Sequence, residues 1–305
     1  MNAFLSPPLF SVVIPVRNRE QLVPQAIHSV INQTLQNFEI IVVDDGSDNH
    51  IKMHGSLNAD PRIRILRQKS LGANAARNRG ILEARGDFVA FLDVDDSFFP
   101  DKLETIAKNI GGKSVWFSHF AKVVRAENVY ATRPLRSISS QETVSEYILR
   151  HGQFLQTSTL VVSRKAAKCI MFDENLNKFQ DIDFAIRFAK SYKNPIFIEK
   201  ELSLWSDVQD YDRISQKLYP ETAIYVYDKL KDIVSNQELA AFAATMLGYE
   251  ISKFKPFQAS KFVIHGFTSR SIGLRTALRQ MTRIWLSQKF YRTLVNSYLK
   301  LSNAI

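Results

Sequence analysis

The sequence predicts an α/β fold: a mostly parallel sheet flanked by helices, then a helical C-terminal region. Three observations predict it. Apolar, β-branched runs alternate with segments of helical spacing between Phe10 and Asn109. Two of those runs are followed at once by acidic clusters. Beyond Pro220 the pattern is helix after helix.

Taken in order, Phe10–Ile14 is a short strand ended by Pro15. From Glu20 to Ile31, Val23, Ala26, Ile27, Val30 and Ile31 recur at helical spacing. Phe38–Val43 is continuously apolar, as a strand buried on both faces of a parallel sheet must be. A shorter strand over Ile63–Leu66 precedes a helix over Ala73–Ala84. Phe88–Leu92 is a further buried strand, and Pro100 is expected just inside a helix over Asp101–Asn109. The middle of the chain mixes strands (Ser114–His119, Thr159–Ser163, Pro195–Glu199) with a helix over Asp181–Lys190. This order divides the chain into residues 1–216, with halves near 8–112 and 113–216, and a helical region 217–305.

Composition narrows the function. With 45% hydrophobic residues the 305-residue chain builds a core and is not disordered. Cys169 is the single cysteine, which excludes a disulfide framework or cysteine metal cluster, fits a reducing cytoplasm and reads as a small core residue. The segment MNAFLSPPLF lacks the pattern of a secretory leader, and no apolar run is long enough to span a bilayer. The formal charge is +10, yet residues 251–305 hold ten Lys and Arg and no acid, so residues 1–250 balance.

Ligands of open parallel sheets bind beyond the C-terminal strand ends. There IIVV runs into Asp44-Asp45-Gly46-Ser47-Asp48, and FVAFL into Asp93-Val94-Asp95-Asp96. Gly46 and Ser47 also suit a capped turn. Two acid clusters at equivalent strand ends, however, repel each other unless a cation lies between them, which favours a hard divalent ion with phosphate oxygens. No Walker-type or dinucleotide-type glycine loop occurs. Instead, Gly72-Ala73-Asn74-Ala75-Ala76-Arg77-Asn78-Arg79-Gly80 sets polar groups on one helix after the third strand.

These stretches, with SVVIPVRN, AIHSVINQTLQNFEIIVVDDGS, GANAARNRGILEARGDFVAFLDVDD and FFPDKL, resemble the family 2 glycosyltransferases over Phe10–Leu103, and more loosely to Ser215. The resemblance implies a GT-A type, Rossmann-like fold and inverting transfer of a hexosyl group from a nucleotide-sugar donor, a UDP-sugar favoured, to a saccharide or glycolipid hydroxyl. It implies that Pro15 and Arg17 line the nucleotide pocket, that Asp45 bonds the base, that Arg77 flanks base or diphosphate and that Asp93 approaches the ribose. Asp95, second acid of the D-x-D motif, would ligate Mn²⁺ or Mg²⁺. Asp181 matches the general base and is favoured over Asp183; a helix N-terminus there is expected to lower its pKa. Three departures stand out: Gln180 in place of the usual Glu, Arg17 in place of a common Tyr, and no His near Leu204–Gln209, where Asp207 is the available substitute.

Two other readings compete. A haloacid-dehalogenase-type phosphatase also has D-x-D after an apolar strand, but its motif order is the reverse of that here. A catalytically inactive nucleotide-sugar-binding module would dock on membrane or nucleic acid through its basic region. In that region Arg275, Arg279 and Arg283 form a stripe beside Leu274, Leu278, Met281 and Trp285. This pattern points to an anionic membrane surface, hence a cytoplasmic protein peripheral to the membrane, or to packing in a homo-oligomer; no nucleic-acid motif is present. The family points further to bacterial surface polysaccharide biosynthesis.

Overall fold

The computed structural model describes residues 7–52, 56–112, 115–126, 129–207 and 217–286. His54, Ser114, the stretches 208–209 and 213–215, Lys289, Arg292 and Lys300 lie outside them.

The elements follow in order β1 (Phe10–Val16), α1 (Val23–Ile31), β2 (Phe38–Asp44), α2 (Ser56–Ala59), β3 (Ile63–Arg67), α3 (Ala73–Glu83), β4 (Phe88–Phe91), β5 (Ser97–Phe98) and α4 (Lys102–Lys108). Then come β6 (Trp116–Ala126), β7 (Val129–Arg133), β8 (Val161–Ser163), α5 (Arg164–Ile170), α6 (Gln180–Tyr192) and β9 (Ile196–Ser206). The C-terminal part consists of α7 (Pro220–Leu230), α8 (Asn236–Phe242), α9 (Gly248–Ile251), α10 (Pro256–Thr268) and α11 (Leu274–Trp285).

One sheet runs in the order β3-β2-β1-β4-β8-β6-β9-β5, with β7 on β6. Strands β1 to β4 pair in parallel, whereas β8 joins β4 and β6 antiparallel. The sheet is thus parallel where the sequence alternates strand and helix, and mixed beyond. Alternate residues of the central strands feed opposite cores: Val13, Ile41, Val43, Val89 and Phe91 on one face, and Val12, Ile14, Ile40, Val42 and Ala90 on the other. That is why these strands carry no polar face.

The first of those cores continues into the C-terminal helices, through Val226, Phe242, Leu247 and Val263. Glu250, 1% exposed, accepts bonds from Lys178 Nζ at 2.7 Å and the Tyr219 amide at 2.5 Å, tying the helices to the segment before α6.

Strands β6 and β9 run to Ala126 and Ser206, past the expected His119 and Glu199, and β5 and β7 are additional; two single residues also depart from the sequence-based expectation. Pro100 precedes α4, whose N-cap is Asp101. Cys169 is exposed rather than a core residue, because α5 buries Ala166 and Ala167 and turns the thiol outward.

Helix α3 explains its unusual composition. Asn74 donates to the carbonyls of Asp173 and Leu176 at 2.8 and 2.9 Å, and Asn78 exchanges bonds with the Phe172 backbone at 2.9 and 2.7 Å. Buried polar residues here satisfy an irregular backbone segment that has no ladder partner. Gly80 lets the helix lie against β1, since a Cβ there would sit 2.2 Å from Val13 Cγ1. Gly80→Ala is therefore expected to destabilise the fold by about 1–3 kcal/mol through overpacking. Calorimetry checks this; an unchanged melting temperature would contradict the close approach.

Candidate active site

The parallel register brings the ends of β1, β2 and β4 to one edge, with Val16 opposite Asp44 and Val13 opposite Phe91. After β2 the chain turns at Gly46, whose φ of +72° and close approach to the Ser70 amide leave no room for a side chain. Asp45 is 2% exposed. It accepts from Gln68 Nε2 at 2.8 Å and from the amides of Leu71 and Gly72 at 2.9 and 2.8 Å. It thereby shapes the loop that enters α3 while lining a cavity with Pro15 and Arg17.

The turn after β4 closes with the Asp96 amide donating to the Asp93 carbonyl at 2.9 Å, and each of its acids has a different setting. Asp93 accepts from Arg77 Nη2 at 2.6 Å. Arg77 is 3% exposed, its Nη1 donates to Asn74 Oδ1 at 3.1 Å, and its guanidinium lies over the Phe172 ring. Asp95 pairs with Arg19 Nη1 at 3.0 Å. Asp96 points inward, where its Oδ2 accepts from Gln156 Nε2 at 2.7 Å and Ser158 Oγ at 2.6 Å, and its Oδ1 from the Ser206 amide at 3.0 Å. Burial pushes Asp96 well above the usual carboxylate range, with Asp93 and Asp95 adding to the effect. Beneath it Lys102 is wholly buried, donates to the Ser158 carbonyl at 2.6 Å and rests on the Phe98 ring; burial holds its pKa well below that of a free lysine.

Helix α6 separates Asp181 from Asp183. Asp183 is buried and ion-paired to Arg187 at 2.7 Å and Lys229 at 2.8 Å, so it serves packing. Asp181 instead lines the open cleft. The expectation that the helix N-terminus lowers its pKa is corrected: burial outweighs the local backbone amides and Arg77, and raises Asp181 to about 6. Gln180 sits beside it with a buried Oε1 that has no protein partner.

Two connected compartments result. A cavity of about 300 Å³ holds Pro15, Arg17, Asp45 and Glu174. A wider cleft of about 950 Å³ holds Asp181, Asp207, Phe154 and Trp205. Arg17, Arg77, Asp93, Asp95 and Gln180 line both. All seven site residues named from the sequence meet here: Pro15, Arg17, Asp45, Arg77, Asp93, Asp95 and Asp181. Sequence reasoning missed Arg19, Gln156 and the stacked pair Phe154–Trp205, whose rings are 5.2 Å apart. Lys102 lies within FFPDKL, and the full burial of its side chain is visible only in the fold.

Among the described residues, no group of three or more His, Cys, Asp or Glu is arranged to hold a metal ion by itself. Asp95, with Asp207 in the same cleft, instead fits an ion that takes its remaining ligands from phosphate and water, as Mg²⁺ and Mn²⁺ commonly do.

A curled, mostly parallel sheet flanked by helices, with strand-end acids facing a two-part cleft, is the architecture of the GT-A type. The profile described as glycosyl transferase family 2 matches residues 11–175, so the chain belongs to that family. The amylovoran biosynthesis glycosyltransferase AmsB of Erwinia amylovora is 28% identical over 250 residues, covering 78% of this chain and 83% of that protein. An uncharacterized glycosyltransferase of Rickettsia felis is 36% identical over 199 residues, 63% of this chain but only 32% of the relative. Among solved structures, S. aureus TarS 1-349 in complex with UDP-GlcNAc aligns with a TM-score of 0.62 at 18% identity, covering 95% of this chain and 91% of that one. Mannosyltransferase PcManGT from Pyrobaculum calidifontis, in complex with GDP-Man and Mn²⁺, aligns with a TM-score of 0.52 at 15% identity, covering 98% and 81%. At these identities the structures show the shared fold.

The raised pKa of Asp181 has a stability consequence. Its folded value of about 6 exceeds the unfolded value near 3.9, so the charged side chain opposes folding above that pH and the penalty fades as pH falls through it. Asp181→Asn is expected to melt above the wild type at pH 8, with the gap closing towards pH 5. Equal or lower melting at pH 8 would contradict a desolvated carboxylate.

Proposed function

We propose that the enzyme inverts the anomeric centre as it moves a sugar from a nucleoside diphosphate donor to a hydroxyl of a saccharide or glycolipid acceptor. The observation that carries this reading is the pair of compartments joined at Arg77, Asp93 and Asp95, with Asp45 in one and Asp181 in the other. The base of the nucleotide takes the smaller cavity, between Pro15, Arg17 and Asp45, and the ribose approaches Asp93. The diphosphate crosses the shared wall near Arg77, and the acceptor enters the wider cleft.

Asp181 then takes the proton of the acceptor hydroxyl as that oxygen bonds to the anomeric carbon and the bond to the diphosphate breaks. A carboxylate titrating near 6 is mostly charged at neutral pH yet more basic than a solvated aspartate. Asp95 would hold Mn²⁺ or Mg²⁺, which supplies Lewis-acid stabilisation of the departing diphosphate. Arg77 adds a fixed positive charge from a buried position, where it needs no reorganisation. The UDP-GlcNAc bound by TarS supports a UDP-sugar, and the GDP-Man and Mn²⁺ of PcManGT support the donor class and ion. The description of the Erwinia relative supports a role in bacterial polysaccharide biosynthesis. The single exposed thiol fits a cytoplasmic setting.

A screen of UDP- and GDP-sugars with Mn²⁺ or Mg²⁺, read as nucleotide release with and without saccharide acceptors, tests this directly. Asp181→Asn is expected to lower transfer by about 10²–10⁴-fold while donor affinity stays within a small factor. Wild-type transfer in that variant would remove Asp181 as base, and no turnover of any donor by the native chain would favour the binding-only module. In the wild type, the rate should fall about tenfold per pH unit below 6, because only the charged carboxylate accepts the proton.

A further inference from the structure

The C-terminal helices bury one side and leave an apolar side open. In α10, Ala259, Val263 and Gly266 face inward, while Phe257 is 73% and Ile264 52% exposed. In α11, Ala277 and Gln280 face inward, while Leu274 and Leu278 are each 59% and Trp285 55% exposed. Leu274, Leu278 and Trp285 are spaced i, i+4, i+11 and share one helix face; Phe257 and Ile264, seven apart, share another. The two faces adjoin: Phe257 meets the Trp285 ring edge-on at 5.5 Å, and Trp285 Nε1 donates to Ser260 Oγ at 3.2 Å. Phe254, 70% exposed, extends the surface at the turn before α10.

Cations frame this surface. Lys253, Lys255, Lys261, Arg275 and Arg279 are exposed, and residues 251–286 contain seven Lys and Arg and no acid. Arg283, the third arginine of the stripe with Arg275 and Arg279, turns back over the Tyr249 ring at 3.9 Å. Exposed Leu, Ile, Phe and Trp beside Lys and Arg form an interfacial pattern: the apolar groups enter the acyl boundary and the cations remain among phosphates. No helix among the described residues is long and apolar enough to cross a membrane.

We propose that the joined outer faces of α10 and α11 dock on an anionic lipid bilayer, lying in its surface. A second copy of the chain would bring like charges face to face. A nucleic acid would match the cations but leave Ile264, Leu274 and Leu278 against phosphates. A bilayer surface satisfies both halves of the pattern.

The full chain is to be sedimented with vesicles of phosphatidylcholine alone, and with vesicles part-substituted with phosphatidylglycerol, at low and high salt. Binding is expected only to the anionic vesicles, with release by salt. The double variant Arg275→Gln/Arg279→Gln should bind about twenty-five-fold more weakly, from roughly fivefold per cation. Leu278→Glu should bind little, while circular dichroism and donor hydrolysis of both variants match the wild type. Absence of binding, equal binding to neutral vesicles, or full binding by Leu278→Glu would overturn the proposal. So would a dimer in gel filtration that Leu278→Glu dissociates, since that assigns the face to a second copy.

Discussion

The constraint on which this structure turns is the placement of three carboxylates within four residues at the end of one buried strand. Asp93, Asp95 and Asp96 cannot all face the same low-dielectric cleft as free anions. The fold separates them: Asp93 is held by the buried guanidinium of Arg77, Asp95 by the rim residue Arg19, and Asp96 is turned inward under Gln156, Ser158 and the Ser206 amide. The inward acid is structural as much as electrostatic, because its partners come from the segment before β8 and from the end of β9. It joins the parallel half of the sheet to the mixed half, and so brings the residues of the two compartments to one opening.

This arrangement costs stability locally and is sustained by the surrounding core. Asp96, Lys102 and His119 are all buried, and desolvation shifts each of them towards its neutral form. Asp181 is raised for the same reason. Of these four, Asp96 and Asp181 line the wider cleft. Around it lie two apolar layers on the two faces of the sheet, one of them continuous with the C-terminal helices. Asn74 and Asn78 of α3 clamp the 172–176 segment that leads into α6, and Arg77 lies between them. One short helix thus sets both the guanidinium at the shared wall and the approach to Asp181.

Much of this was legible in the sequence, for physical reasons. Strands β1, β2 and β4 are buried on both faces, so their apolar runs are unbroken and their acidic ends stand out; the parallel rule then places those ends together. Asp181 was distinguishable from Asp183 only by resemblance; in the fold Asp181 lines the wider cleft, while Lys229 of α7, nearly fifty residues further along the chain, pairs with Asp183. What remained hidden depends on long-range burial. Nothing local in the sequence marks Asp96 or Lys102 as buried; the segment before β8, through Ser158, covers both. Cys169 reads as core until α5 is seen to turn Ala166 and Ala167 inward instead. The pKa of Asp181 reads as lowered by a helix terminus until the walls of the cleft are in place. Local sequence reports helix ends and strand faces, whereas desolvation belongs to the assembled site.

In the proposed function the acid turn would be completed by a cation bound together with a diphosphate. Calorimetric titration of UDP and GDP into the native enzyme, with Mn²⁺ and with a chelator, tests it most directly. Mn²⁺ is expected to tighten binding of the preferred nucleotide by about tenfold or more, the nucleotide to tighten Mn²⁺ binding equally, and Asp95→Asn to abolish this coupling. Nucleotide affinity that is the same with chelator as with Mn²⁺, or coupling that survives Asp95→Asn, would contradict it.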